Sequence, residues 1–233
     1  MDDVRGNVER IASRVDSAAR RVGRDPAGLV LIGITKTIAV ETIRLGVEAG
    51  LSHLGENRVQ EAAGKIPGLA GARTPGGAAI TWHLVGHLQS NKARRAIDLF
   101  DWIHSIDGAD LARRLDRCAA EAGRSPRVLL QVELGGEPSK HGIDTGALKD
   151  LAHEVAALPH LKLRGLMTLP PLFDQPESSR PFFRRLRELR DGLTSGGLDL
   201  PDLSMGMSGD FEVAIEEGAT MVRVGRALFG GRG

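Results

Sequence analysis

Lysine 36 stands near the end of the stretch LVLIGITKT (residues 29–37), in which five apolar residues and one glycine precede Thr35 and Lys36. A run this apolar reads as a strand buried on both faces. A charge at its end has two explanations. It can mark a strand terminus whose ammonium reaches water, or it can be a nucleophile. Desolvation and nearby cations lower a lysine pKa, and the neutral amine condenses with an aldehyde. Alternation places Ile32, Ile34 and Lys36 on one face of the run, which allows Lys36 to enter a common mouth with residues from other strands.

Two segments near the C-terminus suit an anion. In SMGMSGDFEVAI, Ser204, Gly206, Ser208 and Gly209 precede a helical pattern, and in VRVGRALFGG, Gly225 precedes another. Small residues let a backbone approach a ligand, and free N–H groups at helix starts attract anions. Tight turns between strand and helix are the plain alternative. Arg223 is more informative. In MVRVG, Val222 and Val224 share one face while Met221, Arg223 and Gly225 share the other. With the valines packed under outer helices, Arg223 points inward, where an arginine needs an acceptor. That acceptor is a ligand or an interior carboxylate such as Glu133. A lysine, an anion cradle and an arginine on the floor form the set that pyridoxal 5′-phosphate requires. A sugar-phosphate enzyme would use the same parts.

Eight strand-like runs can position these residues: 29–34, 51–55, 80–86, 102–106, 127–134, 161–168, 203–207 and 221–224. Helical patterns alternate with them over 39–49, 58–65, 91–99, 109–122, 147–158, 180–193 and 211–217, with a short one after Gly225. Ser90 and Asp107 are expected N-caps. Ahead of the first strand, Val4, Val8, Ile11, Val15 and Val22 give residues 3–22 a helical stripe. The expected fold is α/β: a single (β/α)8 TIM-type barrel over residues 1–233 with an extra N-terminal helix. An open doubly wound sheet is disfavoured, because no glycine lies between Ile34 and Ile43, after the first strand. Polar residues gather at the strand C-terminal ends, among them Glu56, Asn57, His83, His87, Glu133, Lys140 and His141, where a barrel site is built. The loops over 68–78 and 170–179 read as excursions of the same domain.

Composition excludes several classes. Lysine plus arginine total 31 against 30 for aspartate plus glutamate, so no basic surface for nucleic acid or anionic lipid is expected. A lone cysteine, Cys118, rules out an internal disulfide and suits a reducing, cytoplasmic setting. The opening MDDVRGNVERIASRV is charged throughout, so no secretory leader is expected. No run nears the ~18 apolar residues of a membrane span. The chain contains no tyrosine.

The segments ITKT, HLGENRVQE, WHLVGHLQSNK, SKHGI, LRGLMTLPP and LSMGMSGDFEVAIEEGATMVRVGRALFG resemble, in order, those of the pyridoxal phosphate homeostasis protein family, itself similar to the N-terminal barrel of alanine racemase. The resemblance implies pyridoxal 5′-phosphate as cofactor. It implies that Lys36 is the Schiff-base lysine, that Ser208 and Gly225 hold the phosphate, and that Arg223 faces the pyridine nitrogen. Asn57, His83 and Lys140 match positions near the same mouth. Three positions depart from the family pattern: His87 replaces a proline, Arg58 a ring, and Arg226 a threonine or serine. Arg226 either contacts phosphate by its charge or points to solvent and leaves the backbone N–H to serve.

The resemblance implies a non-catalytic carrier or regulator that passes pyridoxal phosphate to apo-enzymes, most simply as a monomer. The competing expectation is an amino-acid racemase acting through the same lysine. An arginine at the pyridine nitrogen makes the ring a poorer electron sink, and the related racemase draws its second base from a tyrosine that this chain lacks. Racemase activity is therefore expected to be weak or absent.

Overall fold

The computed structural model describes residues 3–135 and 141–230. The chain opens with helix α1 (Val4–Arg21), capped where the Asp3 carboxylate accepts the Gly6 N–H at 3.0 Å. Its inner stripe is Val4, Val8, Ile11, Val15, Ala18 and Ala19, all buried.

Strands and helices then alternate: β1 (Val30–Ile34), α2 (Val40–Glu48), β2 (His53–Glu56), α3 (Val59–Lys65), β3 (Thr81–Leu84), α4 (Ala93–Leu99), β4 (Trp102–Ile106), α5 (Ala109–Ala122), β5 (Arg127–Gln131), α6 (Leu148–Ala156), β6 (Lys162–Met167), α7 (Arg180–Ser195), β7 (Asp202–Ser204), α8 (Phe211–Glu216), β8 (Met221–Val224) and α9 (Arg226–Phe229). All eight strand pairings are parallel, and β1 pairs with β8 as well as with β2, so the sheet closes as a barrel. The expected (β/α)8 architecture with an added N-terminal helix is what forms.

Two apolar layers hold the ring. The larger lies between strands and helices and includes Leu54, Leu84, Ile103, Leu130, Leu166, Leu203, Val222 and Val224. The smaller fills the barrel interior with Ile32, Trp102, Leu129, Met167 and Met221. Val222 and Val224 thus face outward, as alternation required, and Arg223 lies on the inner face.

Some boundaries differ from the sequence reading. Strand β7 ends at Ser204, because Gly206 turns the chain with φ +89°. A Cβ there would lie 2.5 Å from that of Ala214, so only glycine fits. Strand β5 ends at Gln131, although Val132 keeps a bridge to Ile143. Neither expected N-cap acts as one. The turn preceding α4 begins at Ser90 itself, with no side-chain cap, and Gly108 occupies the cap of α5. Asp107 instead reaches His87, with Nδ1 and Oδ2 3.1 Å apart.

Helix α1 lies across α8, α9 and α2. Arg14 and Arg21 pair with Glu212 and Glu216 at 3.1 and 3.0 Å, and Asn7 donates to the Leu228 carbonyl at 3.0 Å. The helix therefore straps the junction where the first and last strands meet.

Candidate functional site

Lys36 is exposed in a tight turn just past β1, with no core packing over its side chain. The Ile38 N–H donates to the Thr35 carbonyl at 3.0 Å, which makes Lys36 and Thr37 the two central residues of the turn. Thr37 has φ +63°, a left-handed conformation rare for a β-branched residue. A buried polar group behind the turn holds it there. Lys65 on α3 donates to the Thr35 carbonyl at 2.6 Å, to Glu56 Oε1 at 2.8 Å and to Glu61 Oε1 at 2.7 Å. Thr35 Oγ1 donates to Glu56 Oε1 at 2.6 Å, and the Thr37 N–H donates to Glu61. Burial pushes the Glu56 carboxyl up, while hydrogen bonds from Lys65 and Thr35 oppose the shift. Among the described residues, Glu56 Oε2 is the one buried side-chain atom without a hydrogen-bond partner. The surrounding hydrogen bonds hold Thr37 in this sparsely populated conformation.

The register carries the Lys36 turn to the glycine turns. Ile32 pairs with Arg223 and Gly33 with Val224, so Ile34 comes beside Gly225, where an added Cβ would be 3.4 Å from Ile34 Cβ. The Gly225 N–H points to Ser208 Oγ at 3.4 Å, which joins the β7 and β8 turns. Among the described residues, the backbone N–H groups of Ser208, Gly209, Arg226 and Ala227 have no protein acceptor. These donors lie in loops or in the first turn of a very short helix. Their capacity to hold an anion comes from the individual N–H groups and not from a helix dipole. The Arg226 side chain is exposed. Asn57 is half-buried just past β2, and its backbone packs directly against Gly86, where a Cβ would meet the Asn57 carbonyl oxygen at 2.2 Å.

Arg223 is 4% exposed. Its guanidinium donates to Ser204 Oγ at 2.6 Å and to the Thr168 carbonyl at 2.9 Å. Burial pulls its pKa down to about 10, with the charge of Asp210 acting the other way. The carboxylate that the sequence suggests as a partner, Glu133, is not among its hydrogen-bond acceptors: Glu133 Oε1 accepts the Gly135 N–H at 2.5 Å.

His83 was expected at the mouth. It is wholly buried within the barrel, and both ring nitrogens are taken by other histidines, His53 Nδ1 at 2.9 Å and His104 Nε2 at 2.9 Å. His104 Nδ1 lies 2.9 Å from Ser204 Oγ, so the histidines run on to Arg223. His53 and His104 carry no strand-end signal in the sequence, because they lie at the start of β2 and in the middle of β4. Alternation in WIHSI, which sets Trp102 and His104 on the inner face, was the available signal. Lys140 lies outside the described residues.

The model for the alanine racemase N-terminal domain family matches residues 6–233. A pyridoxal phosphate homeostasis protein from Aquifex aeolicus is 43% identical over 97% of this chain and 96% of its own. One from Pseudomonas aeruginosa is 43% identical over 100% of this chain and 97% of its own. The chain belongs to the pyridoxal phosphate homeostasis protein family. A solved structure of PipY from Synechococcus elongatus PCC7942, with PLP bound, is 42% identical, covers 94% of this chain and all of its own, and superposes with a TM-score of 0.81.

One cluster in this homeostasis-family barrel invites a metal reading. Ligand atoms of His87, Asp107 and His141 lie within 4.8 Å of one another. The two imidazoles, however, stack with centroids 3.6 Å apart and planes 8° from parallel. Their in-plane lone pairs then run side by side and do not converge on an ion about 2.1 Å from each. As arranged, the trio is a stacked clasp steadied by Asp107.

Proposed function

We propose that this chain binds pyridoxal 5′-phosphate through Lys36 and serves as a reservoir and carrier of the cofactor, not as a catalyst. The observation that carries the reading is the meeting of three elements on the junction of β1 with β8. These are an exposed lysine on a hydrogen-bonded turn and, among the described residues, a set of N–H groups without a protein acceptor and a buried arginine without a bonded carboxylate. The cofactor supplies an aldehyde that condenses reversibly with a neutral amine, and an aromatic ring that can draw electrons.

Each part has a role. Ser208, Gly225 and the backbone of residue 226 hold the phosphate by hydrogen bonds, the Arg226 side chain being dispensable. Arg223, a donor without acceptor capacity, would face the ring nitrogen and disfavour its protonation. Asn57 lines the mouth where Gly86 lets its backbone settle. The Lys65–Glu56–Glu61 group fixes the Thr35–Thr37 turn, so that Lys36 meets the aldehyde from a constant direction. With an unprotonated ring and no tyrosine as second base, the site retains the cofactor without driving proton exchange at a substrate carbon.

The carrier reading treats the chain as a single cofactor-binding domain, monomeric in the cytoplasm, which yields its cargo to apo-enzymes. Near-neutral charge and the lone Cys118 agree with that setting. Among the described residues, no helix is long and apolar enough to cross a membrane. The test is borohydride reduction after adding pyridoxal 5′-phosphate, followed by peptide mass spectrometry. A single adduct on Lys36, lost in Lys36→Ala, is expected. No adduct, or one elsewhere, overturns the reading. Rapid formation of D-alanine from L-alanine would favour the racemase.

A further inference from the structure

Arg223 raises a question that cofactor binding leaves open. A buried guanidinium ordinarily rests on a carboxylate, and among the described residues none is bonded to this one. Its NH1 donates to Ser204 Oγ at 2.6 Å. Ser204 is fully buried, and its Oγ lies 2.9 Å from His104 Nδ1.

That contact fixes the rest by donor and acceptor logic. If His104 Nδ1 accepts, its proton sits on Nε2, which faces His83 Nδ1 at 2.9 Å. His83 Nδ1 must then accept, which puts its proton on Nε2, facing His53 Nδ1 at 2.9 Å. His53 in turn keeps its proton on Nε2, at the half-buried start of β2. The opposite direction is less favourable. His104 would donate to Ser204, and among the described residues the Ser204 hydroxyl hydrogen, with Arg223 already donating to its oxygen, would then have no acceptor. A doubly protonated ring between two donors would face a clash. Burial, first of all, holds His83 and His104 well below the ordinary imidazole range. Arg223 pushes His104 the same way, and His104, His53 and Arg127 do so for His83.

We infer that His53, His83 and His104 form a one-way hydrogen-bond relay, each ring in its Nε2–H tautomer, that positions Arg223 through Ser204 in place of a carboxylate. Every unprotonated nitrogen points toward the arginine, so the aligned dipoles stabilise its charge without cancelling it. A carboxylate there would neutralise the positive field. The neutral relay keeps the mouth attractive to a phosphate and hostile to a proton on the ring nitrogen. This last consequence rests on the cofactor-binding reading; the relay itself does not.

The test separates the two. Long-range 15N–1H correlation spectra of the ligand-free protein at pH 7.5 should show the Nε2–H tautomer for all three rings. The Nδ1–H tautomer, or a protonated ring, at His83 or His104 overturns the relay whether or not any cofactor binds. Ser204→Ala should leave His104 as a tautomer mixture, and Ser204→Thr, which restores the hydroxyl, should recover the single form. An unchanged His104 in Ser204→Ala also overturns the relay. With 15N-labelled pyridoxal 5′-phosphate bound, the ring-nitrogen resonance should move toward its protonated position in Ser204→Ala and return in Ser204→Thr. A resonance that stays fixed while the tautomers collapse overturns the positioning role. Failure of the cofactor to bind would refute the carrier reading and leave the ligand-free spectra to decide the relay.

Discussion

Lys65 Nζ lies 2.6 Å from the carbonyl oxygen of Thr35, the residue immediately before Lys36. The ammonium that ties down this turn is also the partner of a fully buried Glu56. Lys65→Met should therefore strand a buried carboxylate and destabilise the fold by about 3 kcal/mol, as removal of one member of a buried pair does. Urea denaturation measures it. The double variant Lys65→Met/Glu56→Gln should regain part of the loss, and a double variant no more stable than the single one would contradict the assignment.

Thr37 holds a left-handed conformation that glycine adopts freely. Thr37→Gly removes strain of about 1–2 kcal/mol against a glycine entropy cost of about 0.5–1 kcal/mol. A small net gain in thermal stability is expected, together with weaker pyridoxal phosphate binding because the Lys36 turn is freed. A marked loss of stability would show that the threonine side chain, and not the φ angle, matters at this position.

Gly86 lies where any Cβ would strike the Asn57 carbonyl oxygen. Gly86→Ala should cost about 2 kcal/mol by overpacking and displace Asn57. Cofactor affinity should fall while far-ultraviolet circular dichroism stays that of the parent. Unchanged affinity would remove Asn57 from the mouth.

The phosphate contacts separate by substitution. Arg226→Ala should leave affinity for pyridoxal phosphate within about twofold, since the side chain is exposed and the N–H remains. Ser208→Ala should lower it by about tenfold, the loss of one good hydrogen bond to a charged group. Titration by absorbance decides it, and a larger effect at Arg226 than at Ser208 reverses the assignment.

Stability should fall on mild acidification. His83 and His104 have pKa values below the unfolded value of 6.5. Between the folded and unfolded values the unfolded chain binds more protons, so stability is full above about pH 6.5 and declines below it. Each group removes up to about 1.4 kcal/mol per pH unit. Glu56, pushed up by burial, acts in the other direction: its contribution is present below 4.5 and lost as pH rises through the folded value. Urea midpoints measured in a Glu56→Gln background isolate the histidines. A flat profile between pH 7.5 and 5.5 would mean that these rings are not held neutral.

The barrel was legible because its strands announce themselves twice, by apolar runs and by the glycine and polar residues after each. Trp102–Ile106 and Met221–Val224 form strands at the expected limits. Arg223 was placed on the inner face by two flanking valines, and Lys36 at a strand end by its position. What sequence could not supply was the lateral neighbour. Lys65 and Thr35 are 30 residues apart, and His104 and Ser204 are 100 apart. Each pair shares a hydrogen bond only because the ring closes. Ser90 and Asp107 carried the right residue types for caps, but Asp107 was drawn off by an imidazole on the neighbouring loop.

Lys36 follows the first strand and Gly225 the last, so the two halves of the proposed binding mouth come from the first and last strands of the barrel. On that reading, a polypeptide emerging from the ribosome has no complete receptacle for pyridoxal phosphate until β8 is released and docks. A ligand seated there would clamp the β1–β8 pairing that closes the barrel. Occupancy should slow opening of the barrel at that junction more than anywhere else, and hydrogen exchange along β1 and β8 would record it.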